Sequence, residues 1–157
     1  MPTSHYQSAT YVANQSIGYL MRRSAMLMRH QVESVFSGHG LSFMQWASLL
    51  MIRDGLALTA AELSRQLDYD SGALTRLIDQ LESRGLVRRE RCEADRRQVY
   101  LKLTPIGLHS LEELMPLVVG VVNRSVEPLT DAELQTLISL LSRLVDHLDT
   151  LPESVKG

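Results

Sequence analysis

Apolar residues recur three or four positions apart through most of this 157-residue chain, which is the spacing of amphipathic helices. The pattern predicts six helices, at residues 14–37, 42–53, 59–67, 71–84, 105–122 and 130–148. The spacing falls to two where Val99, Leu101 and Leu103 alternate with other residues, as in a strand with one buried face. Its antiparallel partner is predicted at residues 86–92, because the intervening tip is too short for a parallel crossover.

Start and stop signals agree with these helices. Three capping boxes pair a hydroxyl residue with Gln or Glu three positions later, at Ser42 with Gln45, Thr59 with Glu62, and Thr130 with Glu133. Pro105 takes the first position of the fifth helix, where its missing N–H costs nothing. Gly85 ends the fourth helix. The predicted fold class is therefore mainly α, with one short antiparallel ribbon.

Two short helices joined across a break at residues 68–70 indicate a helix-turn-helix. In that arrangement the second helix offers its outward N-terminal residues to the major groove of DNA. Those residues are Ser71, Ala73, Thr75 and Arg76, which are small or able to form hydrogen bonds. An isolated two-stranded ribbon is marginally stable, so it must pack on these helices. The sequence thus predicts a winged helix-turn-helix with a two-stranded β-wing over residues 42–104.

The remaining long helices lie at the two ends of the chain. Residues 14–37 and 105–150 carry more apolar surface than the small central module can cover, so we expect an N- and C-terminal helical dimerisation lobe. A monomeric bundle is the alternative. At this length residues 1–157 are expected to form a single domain.

Charge is distributed unevenly along the chain. The formal net charge is −2, yet residues 84–97 hold six arginines against three acidic residues. Such a cluster is a candidate footprint for nucleic acid, with a solvated face as the simpler interpretation. The single cysteine, Cys92, excludes an intrachain disulfide and favours a reducing compartment, so a cytoplasmic location is expected. The polar N-terminus and an apolar run at residues 114–122 interrupted by Pro and Gly predict neither signal peptide nor spanning helix.

The sequence does not favour an enzyme. It has no Ser-His-Asp order, glycine-rich phosphate loop or H-E-x-x-H motif in a catalytic context. His30, His39, His109 and His147 form no i, i+4 pair and have no cysteine partner, so no metal site is expected. No cofactor is implied.

Two motifs in combination resemble the multiple antibiotic resistance regulator (MarR) family of bacterial winged-helix repressors. The pattern T-R-x-x-x-x-L-E-x-x-G-L-V-x-R starts at Thr75, and D-x-R-x-x-x-x-x-L-T starts at Asp95. The resemblance implies a homodimer that binds a pseudo-palindromic operator in double-stranded DNA. It also implies release by a small, often aromatic or phenolic, ligand or by an oxidant.

The resemblance assigns roles to particular residues. Thr75 and Arg76 would face bases and phosphates, with Ser71 and Ala73 at the leading positions of the recognition helix. At the wing tip, Asp95 would orient Arg97 into the minor groove, where arginine reads narrow A·T tracts by their shape. Arg96 would contact phosphate.

An effector pocket is implied where the first, second and fifth helices meet the DNA-binding lobe. The residues available there are Arg22, Met26, His30, His39, Met44 and Trp46. An arginine among methionine and tryptophan suits an aromatic carboxylate. Two alternatives remain open: a redox-responsive regulator that uses Cys92, and a winged-helix protein-interaction module that does not bind DNA.

Overall fold

The computed structural model describes residues 5–91 and 98–151, and the fold there is mainly helical, as predicted. The elements in chain order are α1 (Ile17–Glu33), α2 (Phe43–Arg53), α3 (Ala60–Gln66), α4 (Ser71–Ser83), β1 (Val87–Arg91), β2 (Val99–Leu103), α5 (Pro105–Val126) and α6 (Asp131–Thr150). The two strands pair antiparallel, with Arg89 opposite Leu101. The helix-turn-helix, the ribbon and the flanking helices therefore have the predicted order.

Helix starts follow the predicted side-chain chemistry. All three capping boxes are present in full, at the N-termini of α2, α3 and α6. The predicted bounds of the first helix were too wide, because Ser16 caps it and the regular helix begins only at Ile17. At its other end α1 tightens into a 3-10 turn, Ser34–Phe36, which places Phe36 in the core. The short turns at both ends account for the difference.

One hydrophobic core joins the helix-turn-helix to the ribbon and to α5. Leu49, Leu63, Leu81 and Leu111, from four different helices, have no exposed surface. Trp46 packs beside Phe36 with ring centroids 5.7 Å apart, and its indole N–H donates to the Leu111 carbonyl at 3.4 Å. The DNA-binding lobe and α5 are thus packed as one body.

A tight junction fixes the start of α5 against the end of α4. The Thr104 hydroxyl donates to the Gly85 carbonyl at 2.5 Å, and the Thr104 N–H donates to the Leu86 carbonyl at 3.1 Å. The same hydroxyl oxygen accepts the Gly107 N–H at 3.0 Å, which caps the helix. A Cβ at Gly107 would overlap the Leu86 carbonyl oxygen and lie 2.8 Å from its carbon. Only glycine permits this approach.

Much apolar surface stays uncovered within the chain. Helix α6 contains no buried residue, although Leu137, Ile138, Leu140, Val145 and Leu148 are apolar and exposed. On α1, Ile17, Leu20, Met26 and Leu27 are exposed as well. Helix α5 is long and apolar enough to cross a membrane by length and composition alone, but here it buries Leu111, Leu114, Val118 and Val121 in the core. The uncovered face is carried by the two ends of the chain.

Replacing Gly107 by alanine should destabilise the fold by about 3 kcal/mol, because the added methyl group must displace backbone at the α5 junction. Urea unfolding followed by circular dichroism measures the change. Gly18→Ala is the matched control, since no heavy atom lies within 4 Å of a Cβ built there. Equal stabilities for the two variants would mean that the junction relaxes without cost.

The cap of α3 predicts a loss of stability in acid. The backbone N–H groups of Leu58 and Thr59 donate to the Glu62 carboxylate at 2.7 and 3.0 Å and hold the pKa of Glu62 below its ordinary value. Its contribution is complete above the unfolded pKa of about 4.3 and is lost as pH falls through the folded pKa. Thermal unfolding from pH 6 downward should therefore show a weaker acid dependence for Glu62→Gln than for the wild type.

The matched control for this prediction is Glu112→Gln. Within the described part of the chain, the Glu112 carboxylate accepts no backbone hydrogen bond, so this variant should keep the wild-type acid dependence. If Glu62→Gln also keeps it, the α3 cap does not contribute to acid stability.

Candidate nucleic-acid interface

The turn between α3 and α4 is fastened by short-range hydrogen bonds. The Ser64 hydroxyl donates to the Tyr69 carbonyl at 2.7 Å, and the Tyr69 N–H returns a bond to the Ser64 carbonyl at 3.0 Å. Asp68 takes a left-handed backbone conformation with φ +46°, which reverses the chain within a few residues. Asp70 then caps α4 by accepting the Ala73 N–H at 2.8 Å. These contacts fix the start of the second helix relative to the first.

Helix α4 has one buried and one exposed face. Its buried face is Leu74, Leu77, Ile78 and Leu81, which anchor it in the core. Of the predicted DNA-contacting residues, Ser71, Thr75 and Arg76 are exposed, while Ala73 is half-buried. The exposed stripe continues one turn further to Asp79. The structure therefore brings the predicted recognition residues together on a single solvent-facing surface.

Two side chains on this stripe differ in what they leave available. The Thr75 hydroxyl donates to the Ser71 carbonyl at 2.9 Å, so its proton is used within the helix while its methyl group and oxygen lone pairs stay exposed. Arg76 makes no ion pair with any carboxylate in residues 5–91 and 98–151. Its guanidinium is thus a hydrated fork, suited to phosphate or to a guanine edge.

The ribbon stands beside α4 as a wing and is held at its base. The Leu101 N–H donates to the Leu58 carbonyl at 2.7 Å, which joins β2 to the loop after α2. On the outer face of the ribbon, Glu90 pairs with Arg88 and with Lys102, each at 2.6 Å. Lys102, with Arg88, holds the pKa of Glu90 below its ordinary value. These charges are balanced among themselves.

The wing tip lies outside the described residues. The predictions for Asp95, Arg96 and Arg97, and the alternative based on Cys92, all fall there. They remain predictions from the sequence.

One wing arginine has a role that the sequence did not reveal. Arg89 lies on the ribbon face that turns towards α4, where its guanidinium pairs with Asp79 at 2.7 Å and with Glu82. Its backbone N–H also donates to Glu82 at 3.2 Å. The bond to Asp79 raises the pKa of Arg89 above its ordinary value. Alternation along the strand separated Arg88 from Arg89, but the partners on another element had no signal in the sequence.

The predicted effector residues are spread over the fold. Arg22, Met26 and His30 are exposed on α1, and Met44 is half-buried on α2. Trp46 is a core residue. His39 lines two cavities, of about 410 and 330 Å³, neither of which is lined by any of the other five. Within the described residues, His39 is thus the member of this set that faces these cavities at the junction of the lobes.

Known proteins match this architecture and these motifs. A model of the MarR family matches residues 39–98. The transcriptional regulator PecS of Dickeya dadantii is 30% identical over 135 residues, covering 84% of this chain and 81% of PecS. A structure of mutant MarR from E. coli complexed with operator DNA is 30% identical with a TM-score of 0.69, covering 86% of this chain and 99% of that one. BpsR of Bordetella bronchiseptica, whose DNA binding is regulated by 6-hydroxynicotinic acid, is 25% identical with a TM-score of 0.72, covering 87% and 97%.

These similarities extend over both lobes and not only over the helix-turn-helix. They confirm the resemblance carried by the motifs at Thr75 and Asp95, and they confirm that the protein is a DNA-binding regulator and not an enzyme. The chain belongs to the MarR family of winged-helix transcriptional regulators.

Proposed function

We propose that this regulator is a homodimeric repressor of a pseudo-palindromic operator. The observation that carries the proposal is the exposed stripe of α4, which presents Ser71, Thr75 and Arg76 on a helix fixed in the core beside a wing. Each α4 enters the major groove of one half-site, with the two centres about 34 Å apart, one turn of DNA. A protein with this task works in the bacterial cytoplasm.

The chemistry of the stripe suits both phosphate and base contacts. Ser71 is the first residue of α4, where free N–H groups and the helix dipole favour a phosphate. Arg76 provides a bidentate donor for a guanine edge or a phosphate. The exposed Thr75 methyl group fits a thymine methyl, and half-buried Ala73 adds a small surface that lets the helix approach closely.

The wing completes the contact in the flanking minor groove. In this proposal Asp95 orients Arg97 at the tip, and Arg96 binds phosphate. The support comes from the motif itself and from the position of β1 and β2, which rise beside α4 and lead towards residues 92–97. Narrow A·T tracts on either side of the half-sites are the expected targets.

Dimerisation is supported by the uncovered apolar surface. Helix α6 buries nothing within its own chain, and the exposed apolar side chains of α1 lie at the other end of the sequence. A patch of this extent on a regulator that binds DNA indicates an interface. A two-fold pair joined through residues 14–37 and 105–150 would match a palindromic operator.

Electrophoretic mobility shift against the DNA immediately upstream of the protein's own coding region tests the proposal. We expect a specific shift, and for Arg76→Ala an affinity about tenfold lower with a salt slope smaller by about 1, because one phosphate or base contact is lost. Arg143→Ala, at an exposed site on α6, serves as the charge-matched control and should bind as the wild type does. Failure of the wild type to bind this or any operator-sized duplex at low salt would refute the proposal.

We also propose release by a small aromatic acid or phenol bound beside His39. The support is the pair of cavities that meet at this residue, between the α1–α2 connection and α5. Arg124 lines one cavity and Arg84 the other, and each offers a guanidinium for a carboxylate. Arg84 is the C-terminal cap residue of α4, so a ligand there contacts the end of the recognition helix. The regulation of BpsR by 6-hydroxynicotinic acid supports this ligand class.

Saturating 6-hydroxynicotinate should weaken DNA binding by the wild type about 5- to 150-fold, the usual range for coupling between two sites. His39→Ala should lose most of this response, because it removes the side chain shared by both cavities. His30→Ala, exposed on α1, is the matched control and should respond fully. A full response by His39→Ala places the effector elsewhere, and no response by the wild type rules out this ligand.

A further inference from the structure

Helix α4 carries two carboxylates that ought to hinder its approach to DNA. Asp79 lies on the exposed stripe one turn beyond Thr75 and Arg76, and its side chain is 58% exposed. Glu82 follows three residues later on the adjoining side, with 37% of its side chain exposed. Phosphates line both edges of the major groove, so an unbalanced carboxylate on this helix would repel them.

A single side chain balances both carboxylates. The Arg89 guanidinium uses one terminal nitrogen for Asp79 at 2.7 Å and the other for Glu82. This two-pronged contact depends on the planar fork of arginine, because a lysine ammonium offers only one nitrogen. The neighbouring Arg88 cannot substitute, since it is committed to Glu90 on the outer face of the ribbon. Within the described residues, Arg89 is therefore the cation that reaches this pair.

The same contact also holds the wing in place. Glu82 accepts the Arg89 side chain and, at 3.2 Å, the Arg89 backbone N–H. Arg89 sits in the middle of β1, opposite Leu101, so the bonds tie the base of the ribbon to the second half of α4. The angle between the helix and the wing is thereby restrained.

We propose that Arg89 is a positioning residue of the DNA interface, which neutralises Asp79 and Glu82 and sets the wing against α4 without itself contacting DNA. The inference rests on the proposed function, because a surface that never meets phosphate has no need of this neutralisation. It assigns a wing arginine to the protein's own acidic residues.

The test compares variants of equal net charge on the upstream duplex used above. Arg89→Met should weaken binding about tenfold, since two carboxylates on the groove-facing helix lose their partner. Adding Asp79→Asn restores the wild-type net charge and should bring affinity back to within about threefold. Adding Glu127→Gln restores the same net charge at the distant end of α5 and should leave the loss in place. A merely structural role, or a direct phosphate contact by Arg89, predicts no recovery in either double variant.

Two further variants separate neutralisation from a general loss of charge and from a loss of folding. Arg88→Met removes the same charge from the opposite face of the ribbon and should bind within about twofold of the wild type, so an equal loss there would overturn the proposal. If circular dichroism shows that Arg89→Met is unfolded, Asp79→Asn with Arg89 intact decides the matter. Neutralisation predicts binding at least as tight as the wild type, whereas a structural role predicts weaker binding.

Failure of this inference can be distinguished from failure of the proposed function. A wild type that does not bind duplex DNA refutes the proposed function and this inference with it. A wild type that binds, with no recovery on adding Asp79→Asn to Arg89→Met, refutes the role of Arg89 alone.

Discussion

The geometry of the DNA-binding lobe depends on the close approach of Gly107 to the Leu86 carbonyl. This approach brings together the end of α4, the end of the ribbon and the start of α5, three segments that the rest of the fold must keep in register. Thr104 supplies the bonds that hold the approach, with its hydroxyl donating to Gly85 and accepting from Gly107. The wing therefore projects from a point where backbone meets backbone, and side-chain motion alone cannot change its direction.

Charge is arranged so that cations remain free only where DNA is expected. Across the described part of the ribbon, Glu90 neutralises Arg88 and Lys102 on the outer face, and Arg89 is taken up by Asp79 and Glu82. Exposed ion pairs of this kind contribute little to stability, about 0–1 kcal/mol each. Their effect lies in the field that an approaching polyanion meets, since paired charges largely cancel at a distance while the charge of Arg76 does not.

Local chemistry explains what the sequence could predict. Each capping box is complete within four residues, so the starts of α2, α3 and α6 could be predicted, and the Thr104-Pro105 start of α5 is equally local. The start of α1 was set too early because a lone Ser16 cap gives a weaker signal than a full box. The partners of Arg89 lie seven and ten residues away on another element, and such a contact depends on how β1 packs beside α4. Position along α1 likewise did not reveal that Arg22 and His30 lie outside the lining of the cavities at His39.

Helix α5 gives the molecule a mechanical link between its two ends. It is continuous over 22 residues, which corresponds to a rod of about 33 Å at 1.5 Å per residue. Its first turn is locked to the base of the wing, and its middle passes the His39 cavities at Ser110, Leu114, Pro116 and Gly120. A rod held this way acts as a lever, because a tilt of about 5° displaces its far end by about 3 Å over this length. A displacement of that size approaches the 3.4 Å rise of one base pair, so a small movement in the middle of α5 would be enough to change the register of a wing on its groove.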